Sequence, residues 1–208
     1  MIHEVISVGM LQCNCSVLGD EDSGDAIVVD PGADIPDILA VVERHNLTVR
    51  QIVITHAHID HIGEVADMKR RTGAPVAMHP GEQSLYDAID QQAAWLGMPA
   101  PEKVVIDIPL KSNDVLKLGN TEIKLLFTPG HSPASLSLWI PSEKRAIVAD
   151  TLFRRSIGRT DLPGGDHSTL IQSIRQKLFT LPPDTLVIPG HGENTTIGEE
   201  IRHNPFFS

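Results

Sequence analysis

The chain has 208 residues, a net charge of −10 and 41% hydrophobic residues. This is long enough for one well-buried domain, or for two small ones that share a core. The acidic balance and the lack of a basic run argue against nucleic acid as a substrate, because a phosphate-binding surface needs a stripe of lysine and arginine. No stretch reaches about 18 consecutive apolar residues, and the start of the chain lacks a signal-peptide pattern. We therefore expect no membrane association and a cytoplasmic location.

The first half of the chain passes from strands to alternating strands and helices. Strands are predicted over 2–8, 14–19, 26–30 and 51–55. Helices are predicted over 34–46, 62–72 and 82–96. The first helix has apolar residues at helical spacing and Pro36 in its first turn, where proline is tolerated. The second is expected to end at Gly73.

The second half is dominated by strands, predicted over 104–108, 115–118, 122–128, 136–140, 146–149 and 185–189. One helix is predicted over 168–179, with Ser168 as its N-cap. The order of elements therefore predicts an α/β fold with mixed sheets and outer helices, formed by a single domain over residues 1–208.

Cys13 and Cys15 are the two cysteines of the chain. They lie two residues apart in a predicted strand, so their side chains share a face of it. A disulfide at this separation would be strained. We therefore expect two free, buried thiols.

The densest group of chemically active side chains is Thr55-His56-Ala57-His58-Ile59-Asp60-His61. It follows a predicted strand and precedes a predicted helix, a position that often carries functional groups. In an extended segment His56 and His58 point to the same side, and Asp60 and His61 would project from the first helical turn. Imidazole and carboxylate ligands suit zinc, iron or manganese. The motif therefore predicts a metal site.

Three further candidate ligands each follow an apolar strand. His131 comes after Pro129-Gly130, Asp150 ends the strand predicted over 146–149, and His191 comes after Pro189-Gly190. A single histidine is often structural. The repetition of a strand end followed by a ligand makes a shared metal centre the better interpretation.

The motif H-x-H-x-D-H, followed by G-H, a strand-end aspartate and a final G-H, resembles the metallo-β-lactamase superfamily. The resemblance implies a four-layer αβ/βα sandwich with two divalent metal ions, zinc being favoured over iron or manganese. His56, His58 and His131 would hold one ion, Asp60, His61 and His191 the other, and Asp150 both. Asp60 and Asp150 would then be the catalytic aspartates, with a metal-bridging hydroxide as the nucleophile.

The segment from Ser156 to Asp166 and the ending His203-Asn204-Pro205-Phe206-Phe207 are similar to short glyoxalase II-like proteins. Glyoxalase II hydrolyses S-lactoylglutathione, so the resemblance implies a thioester hydrolase acting on a small anionic substrate. Arg159 matches a basic residue that faces glutathione there, and arginine binds carboxylates with paired hydrogen bonds. For Arg154 and Arg155 the sequence favours neither substrate binding nor a position in a solvated loop. Because the chain ends 17 residues after His191, we expect it to lack the C-terminal helical domain of glyoxalase II.

Other activities of the same family remain open. A persulfide dioxygenase would use one iron on the positions of His56, His131 and Asp150. That family has an aspartate after the last histidine, where this chain has Gly192. A lactone or phosphoester hydrolase is a further alternative. RNA processing is disfavoured by the net charge of −10. The natural substrate and the oligomeric state are not readable from the sequence.

Overall fold

The computed structural model describes residues 1–207. Its contacts divide the chain into two compact units. The N-terminal unit comprises Met1–Leu110 and Leu118–Asn120, and the C-terminal unit comprises Lys111–Lys117 and the chain from Thr121 onward. The expectation of a single domain stays a prediction. Among the described residues, no helix has both the length and the apolar character needed to cross a bilayer.

The N-terminal unit contains a six-stranded sheet in the order β1-β2-β3-β4-β5-β6. The strands are β1 Ile2–Val8, β2 Cys13–Gly19, β3 Asp25–Val29, β4 Thr48–Ile54, β5 Val76–Met78 and β6 Ile108–Pro109. β1, β2 and β3 pair antiparallel, and β3 to β6 pair parallel. The carboxyl ends of β3, β4 and β5 therefore meet at one edge of the sheet, where ligands of open α/β sheets commonly bind.

Five helices connect the parallel strands of this unit: α1 Ile35–Arg44, α2 Ile59–Ile62, α3 Val65–Thr72, α4 Gln83–Asp87 and α5 Ile89–Leu96. α1 buries Ile35, Ile38, Val41 and Val42, which form one face at helical spacing. They pack in a hydrophobic core that includes Cys13 and Cys15. Both cysteines are buried and free, as expected.

The C-terminal unit contains a second six-stranded sheet in the order β14-β13-β10-β9-β8-β7. Its strands are β7 Val115–Leu118, β8 Thr121–Phe127, β9 Leu136–Ile140, β10 Arg145–Ala149, β13 Leu186–Pro189 and β14 Thr195–Thr196. β10 and β13 pair parallel, whereas β8–β9, β9–β10 and β13–β14 pair antiparallel. The hairpin of β11 Leu152–Phe153 and β12 Ser156–Ile157 follows β10, and the helices are α6 His167–Ser173 and α7 Ile197–His203.

The structure corrects several predicted elements. The helix predicted over 62–72 starts earlier and is divided at Gly63 and Glu64 into α2 and α3. The helix predicted over 82–96 is divided at Ala88 into α4 and α5. The strand predicted over 104–108 is wrong for most of its length, since β6 includes only Ile108 of it. The Tyr86 hydroxyl donates a hydrogen bond to the Val104 carbonyl and accepts one from the Val104 N–H, so these backbone groups do not pair with a neighbouring strand. β5, β11, β12, β14 and α7 were not predicted.

The N-cap of α6 is Asp166, and not Ser168 as predicted. An Asp166 carboxylate oxygen accepts a hydrogen bond from the Thr169 N–H at 2.7 Å, which satisfies one of the free donors of the first turn. The helix continues from Ile174 to Leu178 with the wider π-type hydrogen bonding.

Replacing Asp166 by alanine should lower the melting temperature by a few degrees at neutral pH, because the N-cap acceptor is lost. Hydrogen bonds from Thr169 lower the pKa of the Asp166 carboxyl from 3.8 to about 2. A depressed pKa stabilises the fold above pH 3.8, and this contribution disappears as the pH falls toward 2. Thermal unfolding of both proteins between pH 7 and 2 should therefore show a difference that shrinks below about pH 4. A constant difference would contradict the cap assignment.

Candidate metal centre

The N-terminal unit brings four of the predicted ligands together at the carboxyl end of β4. His56 and His58 follow the strand, and His58 is the N-cap of α2, whose first turn carries Asp60 and His61. The Nε2 atom of His56 lies 3.1 Å from Nδ1 of His58. All three histidines are buried, with His56 and His61 at 0% exposure. The extended segment and the first turn of α2 therefore place these side chains at the carboxyl end of β4.

His61 is oriented by Asp30, which follows the end of β3. The Nδ1–H group of His61 donates to Oδ2 of Asp30 at 2.9 Å, and the ring's Nε2 atom lies 3.6 Å from Oδ2 of Asp60. Asp30 also accepts from the N–H and hydroxyl of Thr55. A metal-binding histidine usually has its second ring nitrogen engaged in this way, which fixes the ring and its tautomer.

Two polar residues of the next crossover hold the histidine loop. The carboxylate of Glu82, at 0% exposure, accepts from the Ala57 N–H at 2.9 Å. The Gln92 side chain accepts from the Ile59 N–H at 3.0 Å and donates to the Ala57 carbonyl at 3.0 Å. Buried polar groups with such partners rigidify the backbone to which they bind. The loop between His56 and His58 is therefore fixed on both sides.

Gly32 lets the segment that follows β3 approach the segment that follows β4 closely. A Cβ atom at position 32 would lie 1.6 Å from the carbonyl oxygen of Asp60. Any side chain would have to displace the backbone that carries Asp60 and His61. The turn Asp30-Pro31-Gly32 thus helps to place the predicted ligands Asp60 and His61. Asp30 binds the His61 ring, and Gly32 leaves room for the Asp60 backbone.

The C-terminal unit brings the other three predicted ligands together. Asp150 follows β10, His131 follows β8, and His191 follows β13. Nε2 of His131 lies 3.5 Å from Oδ2 of Asp150, and Nε2 of His191 lies 3.6 Å from the same oxygen. Nδ1 of His131 is engaged by the carbonyl oxygen of Arg159 at 2.8 Å. Both Nε2 atoms are therefore directed toward one carboxylate oxygen.

The Asp150 backbone is covered closely by the hairpin of β11 and β12. A Cβ atom at Gly158 would lie 1.9 Å from the Asp150 carbonyl oxygen and 3.2 Å from the His131 Cβ atom. Glycine at position 158 is thus required by close packing, and this packing sets the position of Arg159 against His131. Gly158 and Arg159 therefore fix the backbone of Asp150 and the ring of His131, two of the predicted ligands.

The donor set fits divalent metal ions. Two donors that each lie about 2.1 Å from a tetrahedral ion are about 3.4 Å apart. The separations of 3.5 and 3.6 Å around Asp150, and of 3.6 Å between His61 and Asp60, match this geometry. Neutral imidazole and carboxylate are ligands for zinc, iron and manganese alike. In each unit, therefore, the residues present suit a metal.

Cys13 lies next to this group, with its Sγ atom 3.5 Å from Nδ1 of His61. Burial raises the pKa of the Cys13 thiol to about 11. The raised pKa favours the protonated thiol at neutral pH.

The predicted substrate-binding residue Arg159 has an exposed side chain. Its guanidinium forms paired hydrogen bonds with Asp161 at 2.8 and 2.7 Å. Arg155 instead binds the carbonyl of His203 and the carboxylate of Glu199, so that it joins the hairpin to α7. Arg154 pairs with Glu193. Binding of substrate by Arg159 stays a prediction, and Arg155 has a structural role.

A comparison with protein families decides the identity of the fold. The family model of the metallo-beta-lactamase superfamily matches residues 8–191. The chain belongs to the metallo-β-lactamase superfamily. Membership supports a metal-dependent hydrolase, and the predicted α/β fold class with mixed sheets is confirmed. The glyoxalase II-like resemblance is also supported by the relatives below.

Two curated relatives of this superfamily member match over nearly their whole lengths. The hydroxyacylglutathione hydrolase GloC of Haemophilus influenzae is 35% identical, covering 99% of this chain and 97% of the relative. The probable metallo-hydrolase YqgX of Bacillus subtilis is 37% identical, covering 97% and 95%. Both names describe hydrolases, which agrees with the hydrolase branch of the resemblance.

Solved structures show the same fold in relatives with different descriptions. BLEG-1, a B3 metallo-beta-lactamase, matches with a TM-score of 0.93 and 38% identity, with 100% of both chains covered. TTHA1623 in a di-iron-bound form matches at 0.87 and 36%, covering 98% and 99%. ETHE1 from Myxococcus xanthus matches at 0.81 and 30%, covering 99% and 84%. The di-iron form shows that this fold holds iron in a relative, so family membership alone does not select zinc.

Asp30, Glu82 and Gln92 are the residues of this centre that the sequence interpretation missed. Asp30 was predicted only as the last residue of the strand over 26–30, whereas β3 ends at Val29 and Asp30 follows it just as Asp150 follows β10. The same strand-end rule would have identified it. Glu82 accepts from the Ala57 N–H, 25 residues away, and Gln92 accepts from the Ile59 N–H, 33 residues away. No local sequence pattern marks either residue.

Proposed function

We propose that this chain is a hydrolase of acyl thioesters that holds two divalent metal ions on His56, His58, Asp60, His61, His131, Asp150 and His191. The observation that carries the proposal is the match to a hydroxyacylglutathione hydrolase over 97% of that relative's length. The ligand geometry in each unit supports the metal centre. The proposed substrates are small anionic thioesters, and S-lactoylglutathione is one of them.

Bound metal would supply an acidified water as nucleophile and a Lewis acid for the thioester carbonyl. The residues of the chain would orient this chemistry. Asp150 would be the shared ligand, because its Oδ2 atom already faces two histidines. The side chain of Asp60 is 17% exposed, so it could accept a proton from the attacking water. Asp30 and the Arg159 carbonyl would keep the rings of His61 and His131 in place.

Arg159→Ala should raise KM for an anionic glutathione thioester by about tenfold, with a smaller effect on kcat, because one charge-assisted contact to a carboxylate is lost. The Asp161 carboxylate forms an ion pair with the Arg159 guanidinium in the structure, so it would compete with a substrate carboxylate for Arg159. Asp161→Ala should therefore lower KM. Steady-state kinetics of both variants test the role, with Arg50→Ala as an exposed control in the other unit. Unchanged KM in Arg159→Ala would show that Arg159 does not bind substrate.

The mononuclear iron persulfide dioxygenase is the second candidate, and the di-iron form of TTHA1623 keeps iron under consideration for this fold. Gly192 argues against it. The dioxygenase resemblance has aspartate at this position, and this difference in sequence favours the hydrolase branch. Lactone and phosphoester hydrolysis remain alternatives, and the BLEG-1 match adds β-lactams as test substrates.

A substrate panel tests the proposal directly. The protein as purified is assayed with S-lactoylglutathione, glutathione persulfide, an acyl homoserine lactone, an aryl phosphodiester and a penicillin. We expect thiol release from the thioester with a kcat/KM at least about 10⁴ M⁻¹s⁻¹, the lower end of ordinary enzymes. A higher kcat/KM for any other substrate of the panel would reject the thioester assignment.

A further inference from the structure

A cavity of about 270 Å³ in the N-terminal unit adjoins the predicted metal ligand Asp60. Its lining comes from four segments: the turn between β1 and β2, Gly32 and Ala33 after β3, the start of α2 with the following Gly63 and Glu64, and the loop after α5. Apolar side chains dominate the lining, among them Met10, Leu11, Ile59, Met98 and Pro101. Ligand sites in proteins are typically concave and mainly apolar in this way.

The walls of this cavity are held by defined contacts. The N–H of Gly9 donates to Asp34 at 2.7 Å, and the Gln12 N–H donates to the Gly9 carbonyl at 3.1 Å, so the turn that carries Met10 and Leu11 is anchored. On the opposite side, the Met98 N–H closes the end of α5 by donating to the Ala93 carbonyl at 2.9 Å. Hydrogen bonds thus hold the two lining segments that carry Met10, Leu11 and Met98.

The lining offers no basic side chain to pair with an anionic occupant. The carboxylates of Asp60 and Glu64 belong to the lining, and it contains no lysine or arginine. Glu64 accepts from the Ile35 N–H at 3.4 Å, which holds it at the start of α1. A carboxylated thiol such as glutathione finds no ion-pair partner in this lining, whereas an uncharged aliphatic group gains by leaving water.

We infer that this cavity is the acyl subsite and that it takes an aliphatic acyl chain longer than lactoyl. The inference rests on the proposed thioesterase function and deepens it. Asp60 is one of the lining residues, so a group in the cavity lies next to a residue of the reacting centre. The two methionines of the lining adapt to chains of different shape, because their side chains are flexible and polarisable. The thiol half of the substrate then lies outside this cavity.

The test compares glutathione thioesters that differ only in the acyl chain. Thiol release is measured for acetyl, butyryl and hexanoyl thioesters with the protein as purified. Burial of a methylene changes an equilibrium about fourfold, so kcat/KM should rise by about that factor per added methylene. A flat or falling series in a protein that hydrolyses the acetyl and lactoyl thioesters would overturn the acyl subsite and leave the thioesterase proposal standing.

Two variants locate the effect. Ala100 is an exposed cavity residue, so Ala100→Phe should fill the space without disturbing the core and lower the hexanoyl-to-acetyl ratio of kcat/KM at least about tenfold. Ala94→Phe makes the same change at an exposed position of α5 outside the lining and should keep the wild-type ratio. Equal ratios in the two variants would overturn the assignment.

A binding measurement separates this inference from the proposed function. S-methylglutathione and S-hexylglutathione are titrated calorimetrically against the wild type and Ala100→Phe. Tighter binding of the hexyl compound, lost in Ala100→Phe, supports the cavity even if no thioester is hydrolysed, in which case only the thioesterase proposal fails. Equal affinities for both compounds in the wild type would overturn the acyl subsite.

Discussion

Asp150→Ala is expected to lower kcat for the thioester by about a thousandfold or more and to reduce the metal content per chain. The Oδ2 atom of Asp150 lies 3.5 and 3.6 Å from the Nε2 atoms of His131 and His191. Alanine therefore removes the carboxylate oxygen that both histidines face. Metal ions contribute several kcal/mol of transition-state stabilisation, which corresponds to at least this factor. Turnover and metal analysis on the same sample measure both effects.

Asp184→Ala is the matched control for this variant. Asp184 lies in the same unit, and its exposed carboxylate pairs with Lys144. Its removal should change neither metal content nor kcat, because exposed ion pairs contribute little. If Asp150→Ala keeps the turnover and metal content of Asp184→Ala, then Asp150 is not a metal ligand.

Asp30→Ala is expected to destabilise the fold by about 3–5 kcal/mol and to weaken metal binding by about 10–100-fold. The Asp30 carboxylate is buried and accepts three hydrogen bonds, from the Thr55 N–H at 2.8 Å, the Thr55 hydroxyl at 2.6 Å and the His61 Nδ1–H at 2.9 Å. Alanine leaves these donors without their acceptor and frees the His61 ring to rotate. Urea unfolding and competition with a metal chelator measure the two losses.

Two further substitutions make the Asp30 test specific. Asp30→Asn retains the side-chain volume and one carbonyl acceptor, so its losses should lie between those of the wild type and Asp30→Ala. Asp25→Ala, at the other end of β3, removes a carboxylate that binds only the exposed Arg50 side chain and should leave metal affinity unchanged. Metal affinity in Asp30→Ala equal to that of Asp25→Ala would contradict the orienting role of Asp30.

The positions of the predicted ligands at strand ends could be read from the sequence for a physical reason. A buried strand needs an apolar run, and the first polar group after it lies at the sheet edge. His56 after β4 and Asp150 after β10 follow this rule, and so do His131 and His191 after Pro-Gly turns. The family resemblance then assigned the ligands to metals, which periodicity alone could not do.

The elements that sequence reasoning missed depend on contacts between distant parts of the chain. The strand predicted over 104–108 fails because the Tyr86 hydroxyl, 18 residues away, binds the Val104 backbone. The break between α2 and α3 lies at Gly63, where a Cβ atom would meet the carbonyl oxygens of Ile59 and Gly32 at 2.7 and 2.8 Å. Gln92 binds the backbone near His58 from another crossover. Local propensity carries no information about such pairs.

Metal analysis of protein purified without added metal, with S-lactoylglutathione turnover measured on the same sample, distinguishes the dinuclear thioesterase from the mononuclear dioxygenase. We expect close to two divalent ions per chain, thiol release, and activity that falls in proportion to metal removed by a chelator and returns when the metal is restored. One iron per chain, no thiol release and oxygen uptake with glutathione persulfide would contradict this expectation. That result would assign the dioxygenase reaction and place His61 and His191 outside the metal's ligands.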